Sequence, residues 1–372
     1  MISIWERQSF LKADIIILGG GITGLSTAAT IMERSPHLKV VVLERGVLPK
    51  GASTKNAGFA CFGSATELLS DHKTMGLDSM LELVEQRWKG LEATIKRLGE
   101  KNIDVEWNGG HELFQETQEE VDLGFLNESL YPLFKKNVFV DASGKIDSFK
   151  FKNTARLILN QYEGQLDTGK LIGSLWDYCL KKGVRIFTGV AVDRYDEADK
   201  EVHLSSKELL WKCGRLVVCT NAFSKNMFKD VDVAPGRGSV LLVKPQHNVP
   251  FKGTFHYEEG YYYFRDYYGK VIFGGGRKVN LKEEETYDLG INQAIKKKLL
   301  RDLNEVILPD QKSTIEMEWS GIMAFGANKK PIIKQKSNRV FLGVRLGGMG
   351  VAIGSLVGEK VGNLVLSSID GC

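Results

Sequence analysis

The chain has 372 residues, of which 43% are hydrophobic and 26% are charged, and its formal net charge is +4. These proportions are those of an ordinary globular protein. So mild a charge argues against a nucleic-acid partner, which usually requires a concentrated basic surface. The length allows two domains or one large α/β unit with an insertion.

Cysteine usage and apolar runs bear on location. The cysteines are odd in number and lack the spacing of metal ligands, which predicts a reducing cytoplasm and no metal site. No apolar run approaches the ~20 residues of a membrane span, so neither a span nor a signal peptide is expected. The cysteines are Cys61, Cys179, Cys213, Cys219 and Cys372.

A strand, a glycine turn and a helix start follow one another in residues 14–25. The glycines of G-x-G-x-x-G fall at Gly19, Gly21 and Gly24. They suit a tight turn, close approach of a pyrophosphate, and packing of the helix on the strand. The next apolar run ends at Glu44, 20 residues after Gly24, where an acid is needed for an adenosine ribose. The pattern predicts a dinucleotide site.

The first half of the chain then alternates between helices and strands. Helices are predicted over residues 23–34, roughly 65–100 and 167–182, with strands over 184–188, 190–195 and 215–222. An irregular loop of small residues occupies 51–60, and short strands and turns are expected over 105–150.

The second half is rich in strand patterns. Strands are predicted at 239–243, 261–265, 270–274 and 339–344, with a charged helix over 290–304 and an apolar helix over 351–366. This order favours an α/β protein in which a parallel-sheet nucleotide domain is split by a second, antiparallel domain. The predicted nucleotide domain comprises residues 1–100, 155–235 and 326–372, and the second domain 101–154 and 236–325.

Several of these motifs together resemble the glycine oxidase, sarcosine oxidase and D-amino-acid oxidase family of FAD-dependent amine oxidoreductases. The resemblance covers nearly the full length. It implies a split Rossmann-type FAD-binding domain with an inserted antiparallel-sheet substrate domain. It rests on the glycine turn, Glu44-Arg45, and residues 51–58, 217–222 and 347–351.

The resemblance also implies cofactor-binding residues, with FAD held non-covalently rather than through Cys61. The glycine turn would hold the pyrophosphate and Glu44 the ribose, while the start of the last helix would face the flavin. The implied residues are Gly19, Gly21, Ile22, Thr23, Gly24, Glu44, Arg45, Ala52, Ser53, Asn56, Ala57, Gly58, Val192, Thr220, Asn221, Gly347, Gly348, Met349, Gly350 and Val351.

One departure from the family bears on the substrate. Amino-acid oxidases of this family commonly bind the substrate carboxylate with an arginine in W-x-G-x-R-x-x-x-x-D-G-x-P. In the matching segment Met323 takes the arginine position, and Asn328 and Lys329 replace the aspartate and glycine. Because methionine cannot pair with a carboxylate, the segment favours an amine or polyamine derivative, as in γ-glutamylputrescine oxidase-like members. Another arginine could take over this role.

The reaction implied is removal of a hydride from the carbon next to an amine nitrogen, followed by hydrolysis of the imine. Substrate-pocket candidates are Tyr262, Arg345 and Met323. The expected partner is a small-molecule amine, and the electron acceptor, oxygen or a quinone, is left open. The alternatives are an NAD(P)-dependent dehydrogenase and the flavin-dependent part of an RNA-modifying enzyme.

Overall fold

The computed structural model describes residues 1–115, 121–207 and 209–370. Within these ranges no helix is long and apolar enough to span a membrane. The α-helices in these ranges are α1 (Ile4–Ser9), α2 (Ile22–Arg34), α3 (Ala65–Met75), α4 (Leu77–Leu98), α5 (Leu123–Phe134), α6 (Ile146–Phe149), α7 (Thr168–Lys181), α8 (Gln293–Asp302) and α9 (Gly350–Asp370).

The strands form two large sheets and one small one. In chain order they are β1 (Lys12–Leu18), β2 (Val40–Leu43), β3 (Phe59–Ala60), β4 (Gly110–Phe114), β5 (Phe139–Asp141), β6 (Arg156–Asn160), β7 (Gly164–Gln165), β8 (Arg185–Phe187), β9 (Arg194–Glu197), β10 (Val202–Ser206), β11 (Leu209–Val218), β12 (Ala234–Pro245), β13 (Thr254–Tyr257), β14 (Tyr262–Tyr267), β15 (Lys270–Gly275), β16 (Ser313–Phe325), β17 (Ile332–Gln335) and β18 (Val340–Val344).

The first sheet has the order β17-β18-β11-β1-β2-β8, and β10 and β9 extend from β11. Strands β18, β11, β1, β2 and β8 are parallel. Residues 15–18 of β1 are almost completely buried, as a continuous aliphatic run in a sheet covered on both faces requires. The predicted α/β fold with a parallel sheet is therefore confirmed.

The second sheet has the order β16-β12-β15-β14-β13-β4-β6-β5 and is antiparallel except for the pair β13–β4. Helix α8 covers one of its faces through Ile295 and Leu299, which belong to a cluster of buried aromatic residues. Strand β6 lies in this sheet, whereas the predicted division assigns residues 155–235 to the nucleotide domain. The division into domains itself stays a prediction.

Helix α9 packs very closely on α2 along a row of glycines. A Cβ at Gly354 would lie 2.8 Å from Ile22, one at Gly358 would lie 2.6 Å from the Cβ of Ser26, and one at Gly362 would lie 3.1 Å from Thr30. Any larger side chain in this row would separate the two helices. The glycines therefore bring the N-termini of α2 and α9 next to each other.

The helices predicted over roughly 65–100 are present as α3 and α4, which are separated at Gly76 (φ +81°). Two other predicted elements are wrong in extent or type. Region 105–150 contains the helix α5, which begins after the N-cap Asp122 and buries Leu126, Leu130 and Phe134 at a spacing of four. The strand predicted over 190–195 is extended chain followed by β9, because its first residue pairs with the carbonyl of Glu44 instead of with a strand.

Helix packing around α9 predicts the effect of two glycine substitutions. A Cβ at Gly90 of α4 would lie 2.1 Å from the carbonyl oxygen of Ala352 in α9. We expect Gly90→Ala to lower the free energy of unfolding by about 1–3 kcal/mol, because the helices must move apart. The matched control, Gly173→Ala, adds a Cβ into open space on α7 and should raise it by about 0.5–1 kcal/mol. Chemical unfolding of both variants measures this, and equal effects would contradict the packing described.

Candidate active site

The segments that the sequence singles out follow directly after parallel strands of the first sheet. The glycine turn follows β1, Glu44 follows β2, Thr220 follows β11, and the turn before α9 follows β18. Since the carboxyl ends of parallel strands lie at one edge, these segments meet there and line a cavity of about 1080 Å³. The second sheet forms its far wall. This volume slightly exceeds the ~300–1,000 Å³ typical of a site for one drug-sized ligand.

Most residues predicted to bind the cofactor line this cavity: Gly19, Gly21, Ile22, Thr23, Glu44, Arg45, Ala52, Ser53, Asn56, Ala57, Val192, Thr220, Asn221, Gly347, Gly348, Met349, Gly350 and Val351. Gly24 and Gly58 do not line it. A Cβ at Gly24 would lie 2.0 Å from the carbonyl oxygen of Gly19, and one at Gly58 would lie 2.3 Å from that of Leu166. These two glycines therefore shape the backbone behind the wall.

The glycine turn puts no side chain of its own at the start of α2, where the N–H of Ile22 donates to the hydroxyl of Ser53 at 3.1 Å. Gly19 has a φ of +108°, and a Cβ there would lie 2.8 Å from the carbonyl oxygen of Cys219. Gly21 is the N-cap of α2 and provides no side chain to cap it. The first backbone N–H groups of a helix have no intrahelical acceptor, and with the helix dipole they form an anion site.

Glu44 is held rigidly at the end of β2. It is 6% exposed. Its Oε2 accepts a hydrogen bond from the N–H of Gly20 and its Oε1 one from that of Gly46, both at 2.9 Å. A carboxylate has about four acceptor positions, so each oxygen keeps a free one. The carbonyl of Glu44 also accepts from the N–H of Val190 at 2.9 Å, which places Val192 on the adjacent wall.

The loop after β2 is fixed by Asn56. Its Nδ2 donates to the carbonyl of Ser53 at 3.0 Å, and its Oδ1 accepts from the N–H of Gly58 and from Oγ1 of Thr168, each at 2.8 Å. Cys61 follows this loop and lines the cavity. Burial raises the pKa of its thiol well above the ordinary value, and a protonated thiol is a weak nucleophile. This agrees with the expectation of a non-covalent flavin.

The turn before α9 contacts the second sheet. Gly347 has a φ of +59°, and its N–H donates to the carbonyl of Ala324 in β16 at 3.0 Å. A Cβ at Gly348 would lie 3.9 Å from the sulfur of Met323. Met323 therefore lies on the cavity wall beside the N-terminus of α9.

The prediction that Tyr262 faces the pocket is wrong. Tyr262 is 2% exposed and its ring stacks on Tyr257 with the centroids 4.7 Å apart, in the core under α8. Its neighbours Tyr261 and Tyr263 line the cavity instead. Successive residues of a strand point to opposite faces, and only the position of α8 decides which face is covered.

The predicted substrate role of Arg345 is also not supported. Arg345 lines the cavity, but its guanidinium forms an ion pair with Asp232 and donates to Oδ1 of Asn328 at 2.8 Å and to the carbonyl of Lys330 at 2.9 Å. These partners use its donors to join the end of β18 to the neighbouring loop. The arginine is thus a cross-link in the wall.

Sequence reasoning missed the role of a buried pair in the wall. His256 lines the cavity, and its Nε2 is hydrogen-bonded to Glu163, which is 1% exposed. Although burial opposes it, the Glu163 carboxylate raises the pKa of His256 and favours the imidazolium. The residues are 93 positions apart and share no motif. Their donor atoms and the Cys61 sulfur lie within 4.8 Å of one another, a group that could hold a metal ion, although no metal site was predicted.

A second charged group lies where α3 meets the cavity. Glu67 accepts from Nη1 of Arg87 at 3.3 Å and pairs with Nζ of Lys329 at 3.2 Å. Burial alone would raise the pKa of Glu67, but the two cations lower it. The carboxylate of Glu67 therefore stays ionised. Nζ of Lys329 also pairs with Asp71 at 2.6 Å, so two acidic residues face the two cations of this group.

A glycine cradle at a parallel-sheet edge, with an acid at the end of the second strand, is the arrangement typical of a dinucleotide-binding fold. The chain matches the family described as FAD dependent oxidoreductase (DAO) over residues 14–364. It therefore belongs to this family, and the predicted family, enzyme class and cofactor are confirmed.

Solved structures with the same fold include L-proline dehydrogenase from P. horikoshii (16% identity, TM-score 0.76, covering 96% of this chain and 94% of that one). Glycine oxidase from Geobacillus kaustophilus is also similar (17% identity, TM-score 0.74, covering 96% of this chain and 95% of that one).

Two curated relatives match part of the chain. γ-Glutamylputrescine oxidoreductase of Escherichia coli is 30% identical over 100 residues, which is 27% of this chain and 23% of the relative. Mitochondrial L-2-hydroxyglutarate dehydrogenase of Nematostella vectensis is 26% identical over 269 residues, 65% of this chain and 56% of the relative. The matches thus span less than two thirds of either relative.

The residues present fit FAD. The glycine turn adds no side chain of its own to the start of α2, where the small hydroxyl of Ser53 contacts the N–H of Ile22, the carboxylate of Glu44 has acceptor positions left, and the cavity continues from this cradle to the turn before α9. We infer that α2 would hold the pyrophosphate, Glu44 the adenosine ribose and the N-terminus of α9 the flavin.

Glu44 offers a direct test of the cradle. In Glu44→Gln a neutral amide with one acceptor oxygen replaces the carboxylate, so the adenosine ribose loses a charge-assisted hydrogen bond worth about 1.5–3 kcal/mol. We expect the Kd for FAD, measured by flavin fluorescence on the apoprotein, to rise by about 10- to 100-fold. Glu92→Gln, an exposed acid on α4, is the control and should leave Kd unchanged. A Glu44→Gln variant that binds FAD like the wild type would contradict the assignment.

Proposed function

We propose that the protein oxidises the carbon next to the nitrogen of a small amine or amino-acid derivative. FAD, when bound, accepts the hydride from this carbon. The nitrogen loses its proton, the resulting imine takes up water, and the products are a carbonyl compound and an amine or ammonia. The observation that carries the proposal is the continuity of one cavity from the dinucleotide cradle to the second sheet.

The wall of the second sheet suits the oxidation of a neutral amine. Tyr263, Met323 and Phe325 of this sheet and Phe59 of β3 line the cavity, and apolar side chains exclude water from the reacting carbon. His256 lies on the cavity side of Glu163, and that carboxylate compensates its charge. Burial against the apolar wall disfavours the charged form of an amine, and only the unprotonated amine can release a hydride.

The N-terminus of α9 contributes positioning and electrostatics. Its first N–H groups follow the turn at Gly347 and have no intrahelical acceptors. Hydrogen-bond donors that already point to the place where negative charge develops stabilise that charge without having to reorient during the reaction. In the proposed arrangement these groups would lie against the flavin edge that becomes negative on reduction.

Two relatives support different substrates. The similarity to γ-glutamylputrescine oxidoreductase and the apolar Met323 favour an amine or a polyamine derivative. The longer match to L-2-hydroxyglutarate dehydrogenase supports a hydroxy acid as the second candidate. Family membership favours FAD over the NAD(P) alternative, and the balance of 50 basic and 46 acidic residues gives no support to an RNA substrate.

Anaerobic titration of the holoprotein separates these substrates. γ-Glutamylputrescine, putrescine, sarcosine, glycine, L-proline, D-alanine and L-2-hydroxyglutarate are added one at a time while the absorbance of the flavin is recorded. We expect at least one amine to bleach the flavin, because the hydride leaves a carbon next to nitrogen. Bleaching by L-2-hydroxyglutarate alone, or by none of the compounds, would contradict the proposal.

A further inference from the structure

The cations on the cavity wall are the groups that could bind an anionic part of a ligand. Among the described residues, lysine and arginine side chains line the cavity at six positions, besides His256, which is paired with Glu163. Three of these six side chains have acidic partners, and a fourth stacks on an aromatic ring beside the nucleotide cradle. The other two have neither kind of contact on that side of the cavity. The six are Arg45, Lys55, Arg87, Arg277, Lys329 and Arg345.

Three of the six are neutralised within the protein. Arg87 binds Glu67, Lys329 binds Glu67 and Asp71, and Arg345 binds Asp232. Arg45 stacks on Phe223 with its guanidinium carbon 3.6 Å from the ring centroid, on the first-sheet side of the cavity. Lys55 and Arg277 are left without such partners.

Arg277 is placed beside Met323 by strand pairing. It begins the short helix Arg277–Asn280 after β15. Its Nη1 would lie 2.9 Å from a Cβ at Gly236, and Gly236 is the residue opposite Met323 in the pairing of β12 with β16. A side chain at Gly236 would displace the guanidinium, so this glycine gives Arg277 its room.

Phe325 fixes the guanidinium from its other side. The guanidinium carbon of Arg277 lies 3.8 Å from the centroid of the Phe325 ring. Phe325 and Met323 are two residues apart on β16 and so share its cavity face. A planar cation held on an aromatic ring keeps its edge N–H groups available for a bidentate partner.

Within the part of the chain that the structure describes, the guanidinium of Arg277 has no acidic partner and no hydrogen-bond acceptor. The nearby Glu284 is bound by Arg237 at 2.8 and 2.9 Å. Arg277 is half-buried, and burial lowers its pKa. A partly desolvated guanidinium without an acceptor gains free energy when an anion completes the site.

We propose that Arg277 binds a carboxylate of the substrate and takes over the role that an arginine at position 323 would have. The inference rests on the proposed function and narrows it to amines that carry a carboxylate. Lys55 is the other cation that could bind this carboxylate. Its side chain lies against Gly321, two residues before Met323 on β16. Arginine is favoured because its fork matches both oxygens of a carboxylate.

The test uses a non-oxidisable probe, so that it does not depend on turnover. Binding of benzoate and of neutral benzamide to the holoprotein is followed by the change in flavin absorbance. We expect Arg277→Met to raise the Kd for benzoate by about 10- to 100-fold and to leave that for benzamide unchanged, with Arg277→Lys in between. Arg156→Met, a partly exposed arginine on β6 paired with Asp141, is the control and should bind both probes like the wild type.

Three outcomes would overturn the inference: no binding of benzoate to the wild type, an unchanged Kd in Arg277→Met, or a loss confined to Lys55→Met. Kinetics with carboxylated amines provide a second reading, in which Arg277→Met should raise KM far more than it lowers kcat. If benzoate binding depends on Arg277 but no amine bleaches the flavin, the proposed function fails and the carboxylate site stands. If only amines without a carboxylate bleach the flavin, the proposed function stands and the inference about Arg277 fails.

Discussion

The site depends on the close approach of α2 and α9. Gly354, Gly358 and Gly362 remove the side chains that would hold the helices apart, and the helices come from opposite ends of the chain. Their N-termini therefore lie at one sheet edge, where one can hold phosphates and the other can face a ring that becomes negative. A single ligand can contact the positive ends of both helix dipoles only because the backbones of α2 and α9 pack so closely.

Charge in the cavity is mostly compensated. Glu67 is paired with Arg87 and Lys329, Arg345 with Asp232, and His256 with Glu163. This pattern suits hydride removal, in which the cofactor carries the chemistry and the protein positions the substrate and excludes water. Arg277 has no acidic partner among the described residues, and this is why we infer that the substrate carries a carboxylate.

The sequence was sufficient for the dinucleotide cradle, since the spacing from Gly19 to Gly24 and on to Glu44 is set by local geometry. It was insufficient wherever an element distant in sequence determines the surroundings of a side chain. The alternation of β14 predicts two faces, but only α8 shows that Tyr262 belongs to the core. The donors of Arg345 are used by Asp232, and Arg277 meets Met323 only through the pairing of β12 with β16. No local pattern records such contacts.

The central claim is that one cavity holds the dinucleotide along α2 and its reactive ring at α9, with an anion at Arg277. A crystal structure of the holoprotein with benzoate tests it most directly. The account predicts the pyrophosphate at Gly19–Gly24, the isoalloxazine ring against Gly347–Val351, and the benzoate carboxylate paired with Arg277. A ring bound away from α9, or a benzoate held by Lys55 alone, would contradict it.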